Sequence, residues 1–77
     1  MKDFVEYLAK HLVDSPDEVE VKEIESDRTV IYEVSVADDD MGKIIGKNGQ
    51  TVNAIRTLLT AASAKKGGKR AMLELND

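Results

Sequence analysis

The sequence predicts an α+β domain, in which a three-stranded sheet carries helices on one face and the chain order is α-β-β-α-α-β. Three observations lead to this prediction: an apolar stripe at helical spacing near the start of the chain, strand-like alternation in its first half, and a glycine-bounded loop between two helical segments in its second half. A chain of 77 residues holds one domain, residues 1–77, with a small core.

The first predicted helix covers residues 2–13. Its apolar stripe consists of Val5, Leu8 and Leu12, which recur at helical spacing. The helix is expected to end before Pro16, because a proline disfavours helical conformation in the residue ahead of it.

Two strands are predicted to follow and to form a hairpin with one buried face. The first covers residues 19–25, and Ile24 breaks its alternation, which predicts a bulge or a twist near Glu23. The second covers residues 29–36 and alternates without interruption. Its apolar face carries Val30, Tyr32, Val34 and Val36.

Three consecutive aspartates, residues 38–40, precede a short apolar helix predicted over residues 41–45. The spacing of an EF-hand calcium loop fails, because no glutamate stands at its twelfth position. No metal site is therefore predicted, and one of the aspartates is expected to cap the short helix.

A longer helix is predicted over residues 50–64 and a last strand over residues 70–75. A basic turn, residues 64–69, joins them. The predicted apolar stripe of the helix consists of Val52, Ile55, Leu58, Leu59 and Ala62. The apolar face of the strand consists of Ala71, Leu73 and Leu75.

The loop Gly46–Gly49 is a G-x-x-G between the two helices. Its glycines let the backbone turn sharply and approach another backbone closely. The start of the following helix favours an anion, and Lys47 adds a cation at the tip. Apolar residues flank this turn, so the surface suits a nucleotide, which combines an apolar base with a charged phosphate. These residues are Ile44, Ile45, Val52 and Ile55.

The net charge of −4 is distributed unevenly. Residues 1–40 hold thirteen acidic and four basic side chains, whereas residues 41–70 hold seven basic and no acidic ones. This predicts a polarised molecule with one side that faces nucleic acid. The chain has no cysteine, no signal-like start and no apolar run of membrane-spanning length, so a cytoplasmic location is expected.

Catalysis is not predicted, and no cofactor is expected. A Walker A loop fails because Met41 and Asn48 stand where its first glycine and its hydroxyl residue belong. The dinucleotide fingerprint fails because Ile44 replaces its first glycine. RRM and OB-fold surfaces stack bases on aromatic side chains, and this chain has none near the glycine loop.

The run Ile44–Val52 resembles the KH-domain signature, in which a G-x-x-G loop clamps a few nucleotides of single-stranded RNA or DNA. Over essentially its whole length the chain is similar to the KhpA family of small bacterial single-KH-domain RNA-binding proteins. The resemblance implies a type II KH domain that acts as an RNA chaperone or post-transcriptional regulator. Gln50 is a departure, since the family often has a basic residue there.

The predicted mechanism is binding of single-stranded RNA. About four nucleotides lie over the G-x-x-G loop, with the bases in an aliphatic groove and read partly by backbone groups of the second strand near Val36. The predicted RNA-binding residues are Lys43, Ile44, Ile45, Gly46, Lys47, Asn48, Gly49, Gln50, Val52, Ile55 and Arg56. A secondary basic turn is predicted to hold the outgoing strand, through Lys65, Lys66, Lys69 and Arg70.

The alternative is a KH-fold protein-interaction module that acts mainly through dimerisation. Ala54, Ala61 and Ala62 permit close packing of the long helix against a partner. The family resemblance implies both a homodimer and a heterodimer with a larger KH-containing RNA-binding protein. Weak RNA binding by one domain also favours a second copy, which raises the effective concentration.

Overall fold

The computed structural model describes residues 1–65, apart from the side chain of Lys65, and residues 68–76. Within these residues the order of elements confirms the predicted α-β-β-α-α-β arrangement. The elements are α1 (Lys2–Leu12), β1 (Glu20–Glu25), β2 (Thr29–Ser35), α2 (Met41–Ile45), α3 (Gln50–Lys65) and β3 (Arg70–Asn76). Short 3-10 turns cover Pro16–Glu18, Asp38–Asp40 and Lys47–Gly49.

The strands form one sheet in the order β1-β2-β3. The hairpin strands β1 and β2 are antiparallel, and Glu20 lies opposite Ser35 at one end of their ladder. The last strand, β3, runs parallel to β2, and Thr29 lies opposite Arg70. A parallel neighbour needs a long crossover, and α2 and α3 provide it. The G-x-x-G loop lies within this crossover.

The ladder between β1 and β2 is continuous from Glu20 to Glu25, which excludes the bulge, one of the two irregularities predicted near Glu23. Ile24 lies opposite Ile31 and is 48% exposed. Its side chain belongs to the sheet face that the helices leave open, because neighbouring residues of a strand point to opposite faces. An apolar residue on this open face interrupts the hydrophobic pattern without interrupting the backbone ladder.

The core lies between the helices and the other face of the sheet. Leu59 of α3 is 0% exposed, whereas Leu58, which the sequence also placed on the apolar stripe, is 49% exposed and lies on the outer face of the helix. The other apolar core residues are Val5, Ala9, Val13, Val19, Val21, Tyr32, Val34, Ile44, Val52, Ile55, Ala71 and Leu73.

Candidate nucleic-acid interface

Helix α2 ends at Gly46, in a backbone conformation that requires glycine. The N–H of Gly46 donates to the carbonyl of Gly42 at 2.9 Å and so closes the last turn of the helix. Gly46 then adopts φ 75° and ψ 175°, a region that residues with a side chain avoid. The chain can therefore turn sharply after α2 only because this position lacks a Cβ.

Gly46 also permits close contact with the first turn of α3. A Cβ at this position would lie 2.2 Å from Thr51 Oγ1 and 2.8 Å from the backbone nitrogen of Thr51. Such distances are well inside van der Waals contact, and one of the two atoms is backbone that cannot rotate away. The first glycine of the motif therefore sets how closely α2 and α3 approach.

The tip of the loop turns back through two left-handed residues. Asn48 has φ 56° and Gly49 has φ 76°, and the N–H of Gly49 donates to the carbonyl of Gly46 at 3.2 Å. Asparagine and glycine tolerate this conformation better than other residues. The N–H groups of Lys47 and Asn48 have no acceptor within the described part of the chain, and both residues are exposed. Two consecutive backbone donors are thus available to a ligand at the loop tip.

The predicted aliphatic floor is mostly part of the core. Ile44, Val52 and Ile55 are 1%, 5% and 7% exposed, so their side chains support the loop from beneath. Ile45 is 37% exposed and is the member of this set with an accessible apolar surface. The exposed polar residue Gln50 lies beside the loop, at the first position of α3.

A cleft of about 360 Å³ lies between α3 and the outer edge of β3. The guanidinium of Arg56 spans it, because Nη1 lies 3.4 Å from Asn53 Oδ1 and Nη2 donates to the carbonyl of Leu73 at 3.4 Å. The lining residues are Arg56, Thr60, Arg70, Ala71, Met72, Leu73 and Glu74.

That backbone groups near Val36 read the bases stays a prediction, and Val36 directly follows strand β2. Strand β2 is central, so its N–H and carbonyl groups are used in ladders on both sides. Strand β3 is an edge strand, and one row of its backbone groups faces away from β2. The carbonyl of Leu73 belongs to this outer row, because Arg56 reaches it from α3. Of the two edge strands, β1 and β3, the second is the one whose backbone Arg56 contacts.

The predicted capping role of the aspartates is wrong, since no side-chain cap is formed at the start of α2. Asp40 is instead 2% exposed and accepts hydrogen bonds from the backbone N–H groups of Asp14 and Ser15, at 3.3 Å and 3.1 Å. Lys43 Nζ lies 3.3 Å from the same carboxylate and 2.8 Å from Asp14 Oδ2. Lys43, predicted to attract RNA, thus has two carboxylate partners of its own.

Burial alone raises the pKa of Asp40, but the hydrogen bonds from Asp14, Ser15 and Lys43 outweigh it and hold the pKa below its ordinary value. The hydrogen bond to Asp14, followed by that to Asp40, raises the pKa of the Lys43 ammonium. Both groups therefore remain charged over a wider pH range than they do in an unfolded chain.

The secondary basic turn is only partly described. Lys69 Nζ lies 2.6 Å from Glu25 Oε2, so its charge is paired, and Arg70 is exposed at the start of β3. The structure of Lys66 and the side chain of Lys65 lie outside the described residues. Arg70 is the member of this predicted set that lines the α3–β3 cleft. It forms no ion pair with another described residue.

Two groups of this region were not predicted from the sequence. The hydrophobic pattern of β3 does not reveal that the carbonyl of Leu73 is accessible, because this depends on which strand lies at the edge of the sheet. The donors to Asp40 lie 26 and 25 residues away, so no local motif reveals them.

Two classes of feature are absent from the described ranges 1–65 and 68–76. No group of three or more histidine, aspartate or glutamate side chains there is arranged to hold a metal ion. No helix in the same ranges has the length and apolarity that crossing a bilayer requires.

Comparison with known proteins gives a consistent family. The family model described as the KH domain of KhpA/KhpB matches residues 2–75. The chain is 48% identical to the RNA-binding protein KhpA of Chlamydia caviae, over all of this chain and 99% of that protein. It is 52% identical to the protein of the same name from Chlamydia pneumoniae, over 97% and 95% of the two chains.

A relative from a third bacterium gives the same result. The chain is 49% identical to the RNA-binding protein KhpA of Aquifex aeolicus, over 97% of this chain and 94% of that protein. These relatives are named for RNA binding, and not for an enzymatic activity. No solved structure matches the chain. The matches over nearly the whole length show that the chain belongs to the KhpA/KhpB family of KH-domain proteins.

Proposed function

We propose that this protein binds single-stranded RNA, without catalysis, on a surface formed by the G-x-x-G loop and the α3–β3 cleft. The observation that carries the proposal is the pair of unpartnered backbone N–H groups at Lys47 and Asn48, held at the tip of a turn that only glycine at position 46 permits. The names of the relatives support RNA as the ligand.

The loop contacts the sugar-phosphate backbone. The two N–H groups donate to phosphate oxygens, and the ammonium of Lys47 adds a mobile charge beside them. The 16-residue helix α3 begins at Gln50 and directs the positive end of its dipole towards the same place. No side chain beyond Lys47 is needed for this contact, because the donors are backbone groups.

The bases lie on the side of the loop that leads into the cleft. Ile45 offers an exposed apolar surface next to the loop, and Arg56 offers a planar cation that stacks on a base or binds a phosphate. The outer backbone edge of β3 provides donors and acceptors that read base edges. About four nucleotides fill a site of this kind.

Few charged contacts imply weak binding with a shallow salt dependence. For single strands, log K falls with log salt by roughly 0.7 for each phosphate that is neutralised. Within the described part of the chain, three cations lie at the loop and the cleft without an ion-pair partner: Lys47, Arg56 and Arg70. We infer that the domain works as one unit of a larger RNA-binding assembly, with an RNA-chaperone or post-transcriptional role.

The test replaces Lys47 and Asn48 with aspartate, giving the loop Gly-Asp-Asp-Gly. Two carboxylates beside the phosphate backbone are expected to abolish binding of a short single-stranded RNA, as measured by fluorescence anisotropy. Aspartate tolerates the left-handed conformation of Asn48, so the fold is expected to survive. Circular dichroism checks that it does.

The matched control carries Lys22→Asp and Lys2→Asn, two exposed positions on strand β1 and helix α1. It makes the same change in net charge away from the loop, and it is expected to keep most of the RNA affinity. Equal loss in both variants would show that net charge, and not the loop, governs binding. Full binding by the Gly-Asp-Asp-Gly variant would refute the proposal.

A second function, dimerisation through α3, is favoured by one specific observation. Ala54, Leu58 and Ala61 share the outer face of the helix and are exposed, with Leu58 at 49%. Small residues beside an exposed leucine allow a second helix to approach closely. The partner is a second copy of this chain or a larger KH-containing protein.

Sedimentation equilibrium tests this second function. If α3 forms the interface, Leu58→Asp gives a monomer at concentrations where the parent chain is dimeric. The matched control is Thr60→Asp, an exposed residue on the cleft side of the same helix. A parent chain that is monomeric at all concentrations excludes the homodimer.

A further inference from the structure

Asp40 is the one buried charged residue in the described part of the chain, at 2% exposed. Both oxygens of its carboxylate are used, because Oδ1 accepts from the N–H of Asp14 and Oδ2 accepts from the N–H of Ser15. Lys43 Nζ lies 3.3 Å from Oδ1. A buried carboxylate with this many donors is costly to disturb, because a donor whose acceptor oxygen is removed is left without a partner.

The carboxylate joins two parts of the chain that are distant in sequence. Asp14 and Ser15 belong to the connection between α1 and β1, whereas Asp40 directly precedes α2. Lys43 extends the junction to the exposed side, where its Nζ lies 2.8 Å from Asp14 Oδ2. We call these four residues the Asp40 clamp: Asp14, Ser15, Asp40 and Lys43.

Helix α2 needs such a support because it has only five residues, Met41–Ile45. A helix of this length has no stability of its own. The core anchors α2 through Ile44, at 1% exposed, and the clamp holds Asp40, the residue directly before the helix. Gly46 directly follows the helix, so the direction of α2 sets the position of the loop.

We propose that Asp40 is a positioning residue for RNA binding, which holds α2 and therefore the G-x-x-G loop in the orientation that grips the phosphate backbone. The inference rests on the proposed function of the loop. It also assigns Lys43 to the clamp instead of to the RNA, since the Lys43 ammonium contacts Asp14 and Asp40.

The sign of the effect on affinity separates this role from simple electrostatics. Removing an acid near an RNA-binding loop strengthens RNA binding if only charge matters. Asp40→Asn removes the charge and also replaces one acceptor oxygen with an N–H₂ group that faces a backbone N–H. The clamp therefore predicts weaker binding, by roughly three- to tenfold, the range typical of a supporting network.

The control is Asp39→Asn, which removes the same charge from an exposed neighbour in the same 3-10 turn. Its RNA affinity is expected to be unchanged or slightly increased. In the free proteins, the ¹H–¹⁵N spectra should show displaced amide signals for Gly46 and Gly49 in the Asp40→Asn variant only. Asp40→Glu restores a carboxylate and is expected to recover part of the affinity and of the amide positions.

The inference is overturned if Asp40→Asn binds RNA as tightly as Asp39→Asn and leaves the loop amides in place. If Asp40→Asn does not fold, Lys43→Gln replaces it, because this side chain is 43% exposed. The clamp then predicts displaced loop amides with an unchanged salt dependence. A salt dependence that falls by roughly 0.7, with unmoved amides, would mean that Lys43 contacts a phosphate instead.

Failure of the proposed function gives results that differ from failure of the clamp. If the parent chain binds no single-stranded RNA, the proposed function falls, and the amide signals of the free variants alone decide the clamp. Displaced amide signals of the loop in Asp40→Asn then support the clamp as the interaction that positions the loop. Unmoved amides overturn it.

Discussion

The two ends of the five-residue helix α2 are built in opposite ways. Directly before its first residue, the carboxylate of Asp40 is buried, and both its oxygens accept hydrogen bonds from another part of the chain. After its end, the G-x-x-G loop holds the exposed residues Lys47 and Asn48, whose N–H groups have no acceptor in the described residues. One end is satisfied internally, and the other is available to a ligand.

This difference shows how the same short segment combines rigidity with binding capacity. The end that must not move has charged groups that are paired within the fold. The other end, which we propose binds RNA, presents backbone donors that the turn holds in place. Lys43 and Lys47 look equivalent in the sequence, but the first belongs to the satisfied end and the second to the available one.

The largest expected effect is at the available end, in Gly46→Ala. The new Cβ meets Thr51 at 2.2 Å to 2.8 Å and the residue is forced to φ 75°, so the free energy of unfolding is expected to fall by about 2–4 kcal/mol. Urea denaturation measures this loss. Gly42→Ala is the control, because a Cβ there meets nothing within 4 Å, and it is expected to be neutral or stabilising.

Gly49→Ala is expected to have a smaller effect than Gly46→Ala. Gly49 also has positive φ, at 76°, but a Cβ there meets only Asn53 Nδ2, at an ordinary contact distance of 3.6 Å. The cost is therefore the backbone conformation alone, about 1–2 kcal/mol. Urea denaturation of both variants compares them, and equal losses would show that the contact with Thr51 does not matter.

Asp40, directly before α2, makes the free energy of unfolding depend on pH in the acid range. Hydrogen bonds hold the pKa of Asp40 below its unfolded value of about 3.9, so its contribution is complete above that value and is lost as the pH falls through the folded pKa. Lys43 and Asp14 are the charged groups that face it. Thermal unfolding from pH 6 to pH 2 should show a shallower decline for Asp40→Asn than for the parent chain.

The smallest effect on stability is expected for Lys47→Gln. Its side chain is exposed and has no ion-pair partner among the described residues, so the free energy of unfolding should change by less than about 0.5 kcal/mol. The salt dependence of RNA binding should nevertheless fall by roughly 0.7, because one phosphate contact is lost. An unchanged salt dependence, measured by anisotropy titrations at several salt concentrations, would remove Lys47 from the site.

Local chemistry made much of the fold predictable. The alternation in residues 29–36 and the proline after α1 act over a few residues, and they predicted β2 and the end of α1 to within one residue. The G-x-x-G loop was predictable for the same reason, since positive φ is a requirement of single positions. The bulge was predicted wrongly because hydrophobic alternation cannot distinguish an irregular ladder from an apolar residue on an open face, as at Ile24.

The sequence by itself determined the order of elements, the glycine turn and the concentration of basic residues in the second half, because each depends on neighbouring residues or on composition. The tertiary structure decided that β3 runs parallel to β2 at an edge, that Ile44, Val52 and Ile55 are buried, and that Asp40 binds Asp14 and Ser15. These features depend on contacts between segments far apart in the chain. No local pattern encodes which distant donor a carboxylate will meet.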